Sequence, residues 1–313
     1  MTLLFQIECF RWLLRHFGGD YFYKQTQLVL PTREFFPSIV NSDELAAQMT
    51  FEQVKQLAGL KNWPVKLQAQ TPDPELKIAP TLSIKYPNSS PLGTFSVTAN
   101  QEAIITYNPK ILADPEQMVA TFAHELAHYL TASTQEPPPG GWANWEFATD
   151  LCATFLGFGI FQANAAFKLK QYSTIDASGW QTSSGGYLSQ AEHSYALALF
   201  LKLKAIPLEN ALSHCSTNVK GFLKQAFKEL EKNHALIDEL KQVKYEGLKL
   251  IMQNNKTAKT NYDLSISLST TLVPEQTIDL HAETLDESDA TYAFNPNNIP
   301  EFGITHFTPY KTN

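Results

Sequence analysis

One apolar stretch, residues 118–130, constrains this chain more than any other because it places two histidines and a glutamate inside a predicted helix. His124 and His128 are four residues apart, so on a helix they share one face, where both imidazoles can reach a single ion. Glu125 is offset by one residue, which places its carboxylate beside such an ion rather than on it. The stretch therefore predicts a metal-binding helix.

Composition limits the class of protein. The 313 residues are 43% hydrophobic, which is enough for one large domain or two modest ones with a sizeable core. The formal net charge is −7 and there is no dense Lys/Arg run, so we expect neither nucleic acid nor a membrane surface as a partner. The three cysteines, Cys9, Cys152 and Cys215, are odd in number and far apart, which predicts no disulfide framework and fits a reducing compartment.

The N-terminal residues are apolar, but three charged residues interrupt them and no small-residue cleavage site follows, so they make a poor signal peptide. No stretch approaches the roughly eighteen uninterrupted apolar residues that a membrane-spanning helix needs. We therefore expect a cytoplasmic protein without a membrane segment. Residues 3–17 are expected to form a core helix that Gly18 and Gly19 end.

The pattern up to residue 107 predicts an α+β fold. Residues 20–37 favour an extended segment or edge strand, and the apolar spacing after Ser42 favours an amphipathic helix that Gly59 ends. Residues 63–107 then predict a small, mostly antiparallel sheet, because short apolar runs alternate with turn residues. The predicted strands centre on residues 65–67, 82–84, 95–97 and 103–107, with residues 99–102 as a hairpin tip.

Asp114 and Pro115 predict the N-cap and first residue of the metal-binding helix. A second helix is predicted over residues 144–160; it is apolar nearly all round and should be buried. Glu146 and Asp150 stand out there, because buried carboxylates are costly unless they are paired or bind a cation. An alternative role for both is capping and dipole complementarity, since they lie in the first two turns.

Zinc suits this donor set. A catalytic zinc site takes three protein ligands and leaves the fourth position to water. His124 and His128 supply two ligands, and Glu146 is the candidate third, since a returning second helix would place it opposite the histidines. Asp150, one turn later, would accept a hydrogen bond from a ligating histidine and fix its tautomer. The residues thus predict a Zn²⁺ site.

His124-Glu125-x-x-His128, followed after seventeen residues by Glu146-x-x-x-Asp150, resembles the gluzincin group of zinc metallopeptidases, with its thermolysin-like two-helix core. The resemblance covers about residues 104–159 and implies a zincin-like fold. It implies zinc ligation by both histidines and Glu146, general-base catalysis by Glu125, and support of a histidine by Asp150. It also implies that residues 95–107 align an extended peptide.

That group also uses a separate Tyr or His to stabilise an oxyanion, and no motif identifies this residue here. Tyr187, His193 and Tyr195 are candidates because they follow a Ser/Gly-rich stretch, residues 183–186, that could fold over the site. For each of them an ordinary core or surface role is the more common one. This residue is the weakest part of the predicted site.

We expect residues 1–254 to form one zincin-like metallopeptidase domain. Its parts would be strands at about 63–107, active-site helices at about 115–162 and a helical part at about 188–254, where Ser189 and Glu192 predict a capping box. Two further helices are predicted there, over residues 208–232 and 235–253. Residues 255–313 carry eight acidic and three basic residues, so we expect an acidic, flexible tail.

Two main hypotheses of function follow. The first is a zinc-dependent hydrolase that cleaves a peptide or protein substrate with a metal-activated water and Glu125 as general base. The second is a non-catalytic, zinc-containing regulatory or protein-interaction domain. Hydrolysis of a non-peptide amide or ester is a third. An open fourth coordination position would favour catalysis, and a closed one a structural role. Specificity and oligomeric state stay open.

Overall fold

The structure is a computed structural model of the 313-residue chain. It describes residues 3–37, 44–71, 75–79, 82–85, 91–98, 102–174 and 188–246. Within these ranges the fold is α+β, mostly helical with a small three-stranded sheet, which confirms the predicted class at this level. The predicted cap Ser42, the candidate Tyr187 and the predicted tail lie outside the described residues.

The N-terminal segment is more helical than predicted. Its elements are α1 (Leu3–Leu13), a π-helical turn (Leu14–Gly18) and α2 (Gly19–Lys24). The two glycines redirect the chain instead of ending the helix, since Gly19 adopts φ 62°, which a residue with a side chain rarely does. Of the two alternatives for residues 20–37, the edge strand is wrong, since Gly19–Lys24 is helical and residues 26–30 lie in neither a helix nor a strand. The backbone N–H of Val29 instead donates to the Gly157 carbonyl at 3.0 Å, so the segment packs on a helix and not on a sheet edge.

Helix α3 (Glu44–Leu57) confirms the predicted amphipathic helix. Gly59 follows it with φ 78°, as expected for a glycine that ends a helix. The buried face of α3 includes Phe51, whose ring meets the Phe122 ring edge-on at 5.4 Å. This contact joins α3 to the helix that carries the candidate metal ligands.

The three-stranded sheet is built from β1 (Val65–Ala69), β4 (Gly93–Val97) and β5 (Ala103–Tyr107), in the order β1-β5-β4. Strands β4 and β5 pair antiparallel, as the predicted hairpin requires. Strand β1 pairs parallel with β5, so the expectation of mostly antiparallel pairing is wrong for this pair. Strands β2 (Glu75–Ala79) and β3 (Leu82–Lys85) form a separate antiparallel pair, of which only β3 was predicted.

Helix α4 (Pro115–Ala132) lies at the centre of the core. Asp114 caps it by accepting a hydrogen bond from the Gln117 N–H at 3.2 Å, and Pro115 is its first residue, both as predicted. Every residue of the helix from Gln117 to Ala132 is buried. The buried face of β5 packs near it, and the rings of Tyr107 and Phe122 meet edge-on at 5.9 Å. The candidate ligands therefore stand on a helix fixed on several sides.

The second predicted helix is broken. It consists of α5 (Trp145–Ala153), a π-helical turn (Thr154–Phe158) and α6 (Gly159–Thr174). Gly157 interrupts the continuity expected over residues 144–160, because its φ of 103° is not helical. A Cβ on Gly157 would lie 2.1 Å from the Gln27 carbonyl oxygen, so the glycine lets another backbone approach closely. The expected burial is confirmed from Ala148 onwards.

The C-terminal described part is helical, with α7 (Gln190–Leu203), α8 (Glu209–Leu212), α9 (Thr217–Lys232) and α10 (His234–Lys241). The capping box of Ser189 and Glu192 is confirmed. The helix expected over residues 208–232 is wrong as one element. Asn164 holds a turn there, accepting from the Ser216 N–H at 2.9 Å and donating to the His214 carbonyl at 3.0 Å.

A cluster of buried side chains extends through the described part, from Ile7 in α1 to Leu240 in α10. The helix expected over residues 235–253 ends earlier, at Lys241. None of the helices within the described residues combines the length and the apolar character needed to cross a bilayer. The division of the chain into a domain and a tail stays a prediction.

Candidate metal centre

One group of side chains in the described part of the chain could hold a metal ion. It consists of His124 and His128 on α4 and Glu146 in the first turn of α5. The two helices pack against each other, so the loop between them returns Glu146 to the histidine face. One ligand atom from each residue lies within 4.8 Å of the other two. The fold thus brings the three predicted ligands together.

The separations within this group fit zinc. Glu146 Oε2 lies 3.2 Å from His128 Nε2 and 3.5 Å from His124 Nε2. Zinc bonds to nitrogen and oxygen of about 2.0–2.2 Å in a tetrahedron separate the ligand atoms by about 3.3–3.6 Å. Two imidazole nitrogens and a carboxylate oxygen are also donors that zinc accepts. Geometry and donor chemistry therefore agree.

The group is open on the side of Glu146. That side chain is 45% exposed, whereas both histidines are buried. The expectation that Glu146 is buried is therefore wrong, because the first turn of α5 lies at the surface. Desolvation raises the pKa of Glu146, but His128 and His124 outweigh it and hold this pKa below its ordinary value. The carboxylate is thus ionised near neutral pH, as a metal ligand must be.

Helix α5 also orients the two imidazole rings. Asp150 Oδ1 lies 2.9 Å from His124 Nδ1, and Asp150 is only 1% exposed. The Thr149 hydroxyl lies 3.3 Å from His128 Nδ1. With a proton on Nδ1 of His124 donated to Asp150, the Nε2 lone pair faces Glu146, where an ion would sit. This arrangement is the one that the prediction requires, in which Asp150 accepts a hydrogen bond from a ligating histidine.

Desolvation and the neighbouring carboxylates act in opposite directions on His124. Burial lowers the pKa of its imidazole, whereas the hydrogen bonds with Asp150 and Glu146 raise it. The carboxylates dominate, so the pKa of His124 stands well above its ordinary value when no metal is bound. A metal ion would have to displace the second proton of this ring, which makes binding depend on pH.

The second oxygen of Asp150 faces a different part of the chain. It accepts a hydrogen bond from the Leu188 N–H at 2.9 Å, and His193 Nε2 lies 3.8 Å away. His193 is 1% exposed, and burial lowers the pKa of its imidazole, so it is neutral. The structure thus brings His193 to Asp150, not to the exposed side of the group. Its role as an oxyanion stabiliser stays a prediction.

Of the other two oxyanion candidates, Tyr187 and Tyr195, the structure describes only Tyr195. Tyr195 follows His193 by two positions on α7, so its side chain points to the other face of the helix. Burial, together with the nearby Glu229 carboxylate on α9, raises the pKa of Tyr195. Tyr187 precedes the first described residue of this segment. Tyr195 is thus not on the face of α7 that carries His193, and the position of Tyr187 lies outside the described residues.

Glu125 lies beside the group and next to strand β4. It is buried, and desolvation raises the pKa of its carboxyl, although His124 and His128 act in the opposite direction. A Cβ on Gly93 of β4 would lie 2.8 Å from Glu125 Oε1 and 2.7 Å from Thr121 Cγ2. Only glycine lets the strand come this close to the carboxylate. The backbone of β4 therefore passes directly alongside Glu125.

Three residues of the site were not anticipated from the sequence. They are Thr149, Trp145, whose ring centroid is 4.6 Å from that of His128, and Gly93. A glycine in a strand often marks a close approach of backbone, but the predicted strand began only at residue 95. Thr149 and Trp145 adjoin Asp150 and Glu146 in sequence, and this adjacency was the available signal.

Comparisons with protein-family models, with curated proteins and with solved structures found no match to this chain. The features of the site that bear on function are the spacing of the three ligand atoms, the position of Glu125 and the path of β4.

Proposed function

We propose that the protein is a zinc-dependent hydrolase of the gluzincin type, with a zincin-like fold, that cleaves peptide bonds. The observation that carries this proposal is the convergence of His124, His128 and Glu146 at zinc-ligand spacing, with Glu125 beside them. Structural zinc sites are closed by four protein ligands, whereas catalytic sites keep one position open. Three ligands, one of them half exposed, support the catalytic type.

The side chains around the group have complementary roles in this reaction. A bound zinc ion would supply Lewis acidity, which polarises the substrate carbonyl and activates water. Glu125 would accept a proton from the attacking water and pass it to the leaving amine. Burial raises the pKa of Glu125 towards neutrality, which suits a group that both takes and returns a proton. Asp150 and Thr149 would keep the histidine rings in the ligating orientation.

Strand β4 supports a peptide as the substrate. Within the described residues it pairs only with β5, so its other edge can accept an extended chain through backbone hydrogen bonds. Gly93 lies alongside Glu125, and a chain paired with β4 would therefore run past the proton acceptor. A side chain at position 93 would fill this space.

The Glu125→Gln variant tests the proposal. It should hold about one zinc per chain, as the wild type does, while hydrolysis of a mixed peptide library falls by about 10²–10⁴-fold because the proton acceptor is lost. Zinc content is measured by mass spectrometry and cleavage by the appearance of free amines. Glu116→Gln, in the first turn of the same helix, is the matched control and should keep its activity. Full activity of Glu125→Gln, or a wild type that binds no zinc, contradicts the proposal.

The position of His193 favours a second candidate, a non-catalytic zinc-containing regulatory or interaction domain. Its Nε2 lies 3.8 Å from Asp150 Oδ2 and the residue is 1% exposed, a position in which a histidine can support the ligand-bearing helix without touching a substrate. A wild-type protein that binds zinc but cleaves nothing in the peptide library supports this candidate over the first.

A further inference from the structure

Two tryptophans border the metal group on the side of His128. The ring centroid of Trp145 lies 4.6 Å from that of His128, with the ring planes 70° apart. The ring of Trp142 meets that of Trp145 nearly perpendicularly, at 79°, with the centroids 6.5 Å apart. Both tryptophans are partly exposed. An aromatic surface therefore continues from a candidate ligand towards solvent.

Hydrogen bonds fix the orientation of this surface. The Trp145 indole N–H donates to the Thr131 hydroxyl at 2.8 Å, and Thr131 is fully buried. The preceding turn is held in the same way, since the Gly141 N–H donates to the Pro138 carbonyl at 2.9 Å. Gly141 adopts φ 90°, which turns the chain sharply just before Trp142. The Trp145 ring is thus held in place, and the backbone that carries Trp142 follows a defined turn.

The loop that carries Trp142 is also tied to the N-terminal helices. Glu136 forms an ion pair with Arg15, and its second oxygen lies 3.1 Å from His16 Nε2. Asn144, at the far end of the loop, donates its side-chain N–H to the Pro139 carbonyl at 3.1 Å. Loops with such anchors lose little conformational entropy when they bind a partner. The tryptophans consequently form a rigid surface, and not one that closes onto a ligand.

Partly exposed aromatic side chains on a rigid loop beside a metal group are suited to recognition. Tryptophan offers a large apolar surface and prefers edge-on or offset contact with another ring. Neither indole ring carries a charge, and the adjacent carboxylate, Glu146, is the one assigned to the metal. The surface should therefore select an uncharged, bulky side chain over a small or charged one.

We propose that Trp142 and Trp145, which we call the tryptophan wall, bind a bulky apolar or aromatic side chain of the substrate next to the bond that is cleaved. This inference rests on the proposed function, because it concerns the substrate of the same metal group. It narrows the substrate class to peptides with such a side chain at that position.

Binding of two simple hydroxamates tests the wall without requiring turnover. Acetohydroxamate and 3-phenylpropanohydroxamate present the same metal-binding group, but only the second carries a phenyl ring. Calorimetric titration of the full-length, zinc-loaded chain should give about tenfold tighter binding of the phenyl compound, because its ring is buried against Trp142. In Trp142→Ala this preference should fall to less than about threefold, with acetohydroxamate binding unchanged.

Control variants separate recognition from folding. Trp142→Phe keeps an aromatic face and should retain most of the preference, and Phe222→Ala removes an exposed ring from α9 and should retain all of it. Trp142→Gln replaces Trp142→Ala if the alanine variant does not hold zinc. Equal binding of both hydroxamates to the wild type would contradict the proposed role of the tryptophan wall and leave the proposed metal centre intact. A preference that survives the loss of the Trp142 ring would do the same. Failure of acetohydroxamate to bind the zinc-loaded wild type would contradict the proposal that the metal centre has an open coordination position. It would contradict the proposed role of the tryptophan wall as well.

Discussion

Asp150 joins two parts of the molecule through its two carboxylate oxygens. Oδ1 contacts His124 Nδ1, and Oδ2 accepts the backbone N–H of Leu188 at the start of the α7 segment. A carboxylate can serve both partners because each of its oxygens is an acceptor. An amide has one acceptor and one donor, so asparagine could satisfy only one of them.

We therefore expect Asp150→Asn to weaken zinc binding by about 10–100-fold. If the amide N–H₂ faces His124, it favours the tautomer with a proton on Nε2, which cannot bind an ion; if the amide turns round, it opposes the Leu188 N–H. The affinity is measured by competition with a chromophoric chelator. Thr149→Val, which removes the longer 3.3 Å contact with His128, is the control and should have a smaller effect. Wild-type affinity in Asp150→Asn would contradict the role of Asp150.

The sequence predicted the ligands better than their surroundings. The shared face of His124 and His128 follows from helical spacing, which is a local property, and Glu146 was expected opposite them because a second helix follows after a short loop. The exposure of Glu146 depends on where the α4–α5 loop reaches the surface, and no nearby residue specifies that. His193 and Asp150 are 43 positions apart and lie on different helices. The sequence pattern of either helix alone could therefore not predict that these two side chains lie together.

At the level of elements, Gly157 determines how the N-terminal segment meets the second active-site helix. Its φ of 103° breaks the helix, and its carbonyl accepts the Val29 N–H. The missing side chain leaves room for the Gln27 carbonyl. One residue thus both interrupts a helix and provides the contact for another segment.

Gly157→Ala should lower the free energy of unfolding by about 2–4 kcal/mol, because alanine combines the cost of a left-handed backbone with a clash against the Gln27 carbonyl. Gly221→Ala is the matched control. Gly221 lies inside α9 with open space around it, so alanine there should raise stability by about 0.5–1 kcal/mol. Urea unfolding followed by circular dichroism measures both. Similar changes in the two variants would show that Gly157 has no special conformation.

Local signals predicted the N-terminal caps of two helices correctly, and long-range pairing was not predictable in the same way. The caps at Asp114 and Ser189 depend on residues within three positions, and both were recognised. The parallel pairing of β1 with β5 joins Val65 to Ala103 and depends on the intervening chain. The break at Gly157 likewise depends on a distant backbone, since glycine within an apolar helix has no obligatory effect.

For the whole molecule, the metal group couples stability to pH. Without metal, the pKa of His124 is raised in the folded state. The contribution of His124 to the free energy of unfolding is therefore complete below the ordinary pKa of 6.5, and it is lost as the pH rises through the folded-state pKa. The pKa of Glu146 is lowered in the folded state. The contribution of Glu146 to the free energy of unfolding is therefore present above the ordinary pKa of 4.5, and it is lost as the pH falls towards the folded-state pKa. These two contributions coincide between about pH 4.5 and 6.5.

Zinc should reverse this dependence. It binds neutral imidazole, so protons compete with it at His124, and the rise in melting temperature on adding zinc should be larger at pH 8 than at pH 5.5. In the metal-free chain the stabilising contribution of His124 should be present at about pH 5.5 and should decline only as the pH rises through the folded-state pKa of His124. Thermal unfolding with and without zinc measures this, and His128→Ala should abolish most of the zinc effect. An equal rise at both pH values would exclude zinc binding at these histidines.

The separation of His124 and Asp150 by only 26 positions also bears on the order in which the chain folds. All three candidate ligands, Thr149 and the tryptophan wall come from α4, α5 and their connecting loop, so closing this unit costs little chain entropy. The pairing of β1 with β5 requires a longer closure, and contacts of that kind form more slowly. The two-helix unit can therefore assemble early, and an ion captured at that stage would act as a template on which the remaining helices and the sheet are built.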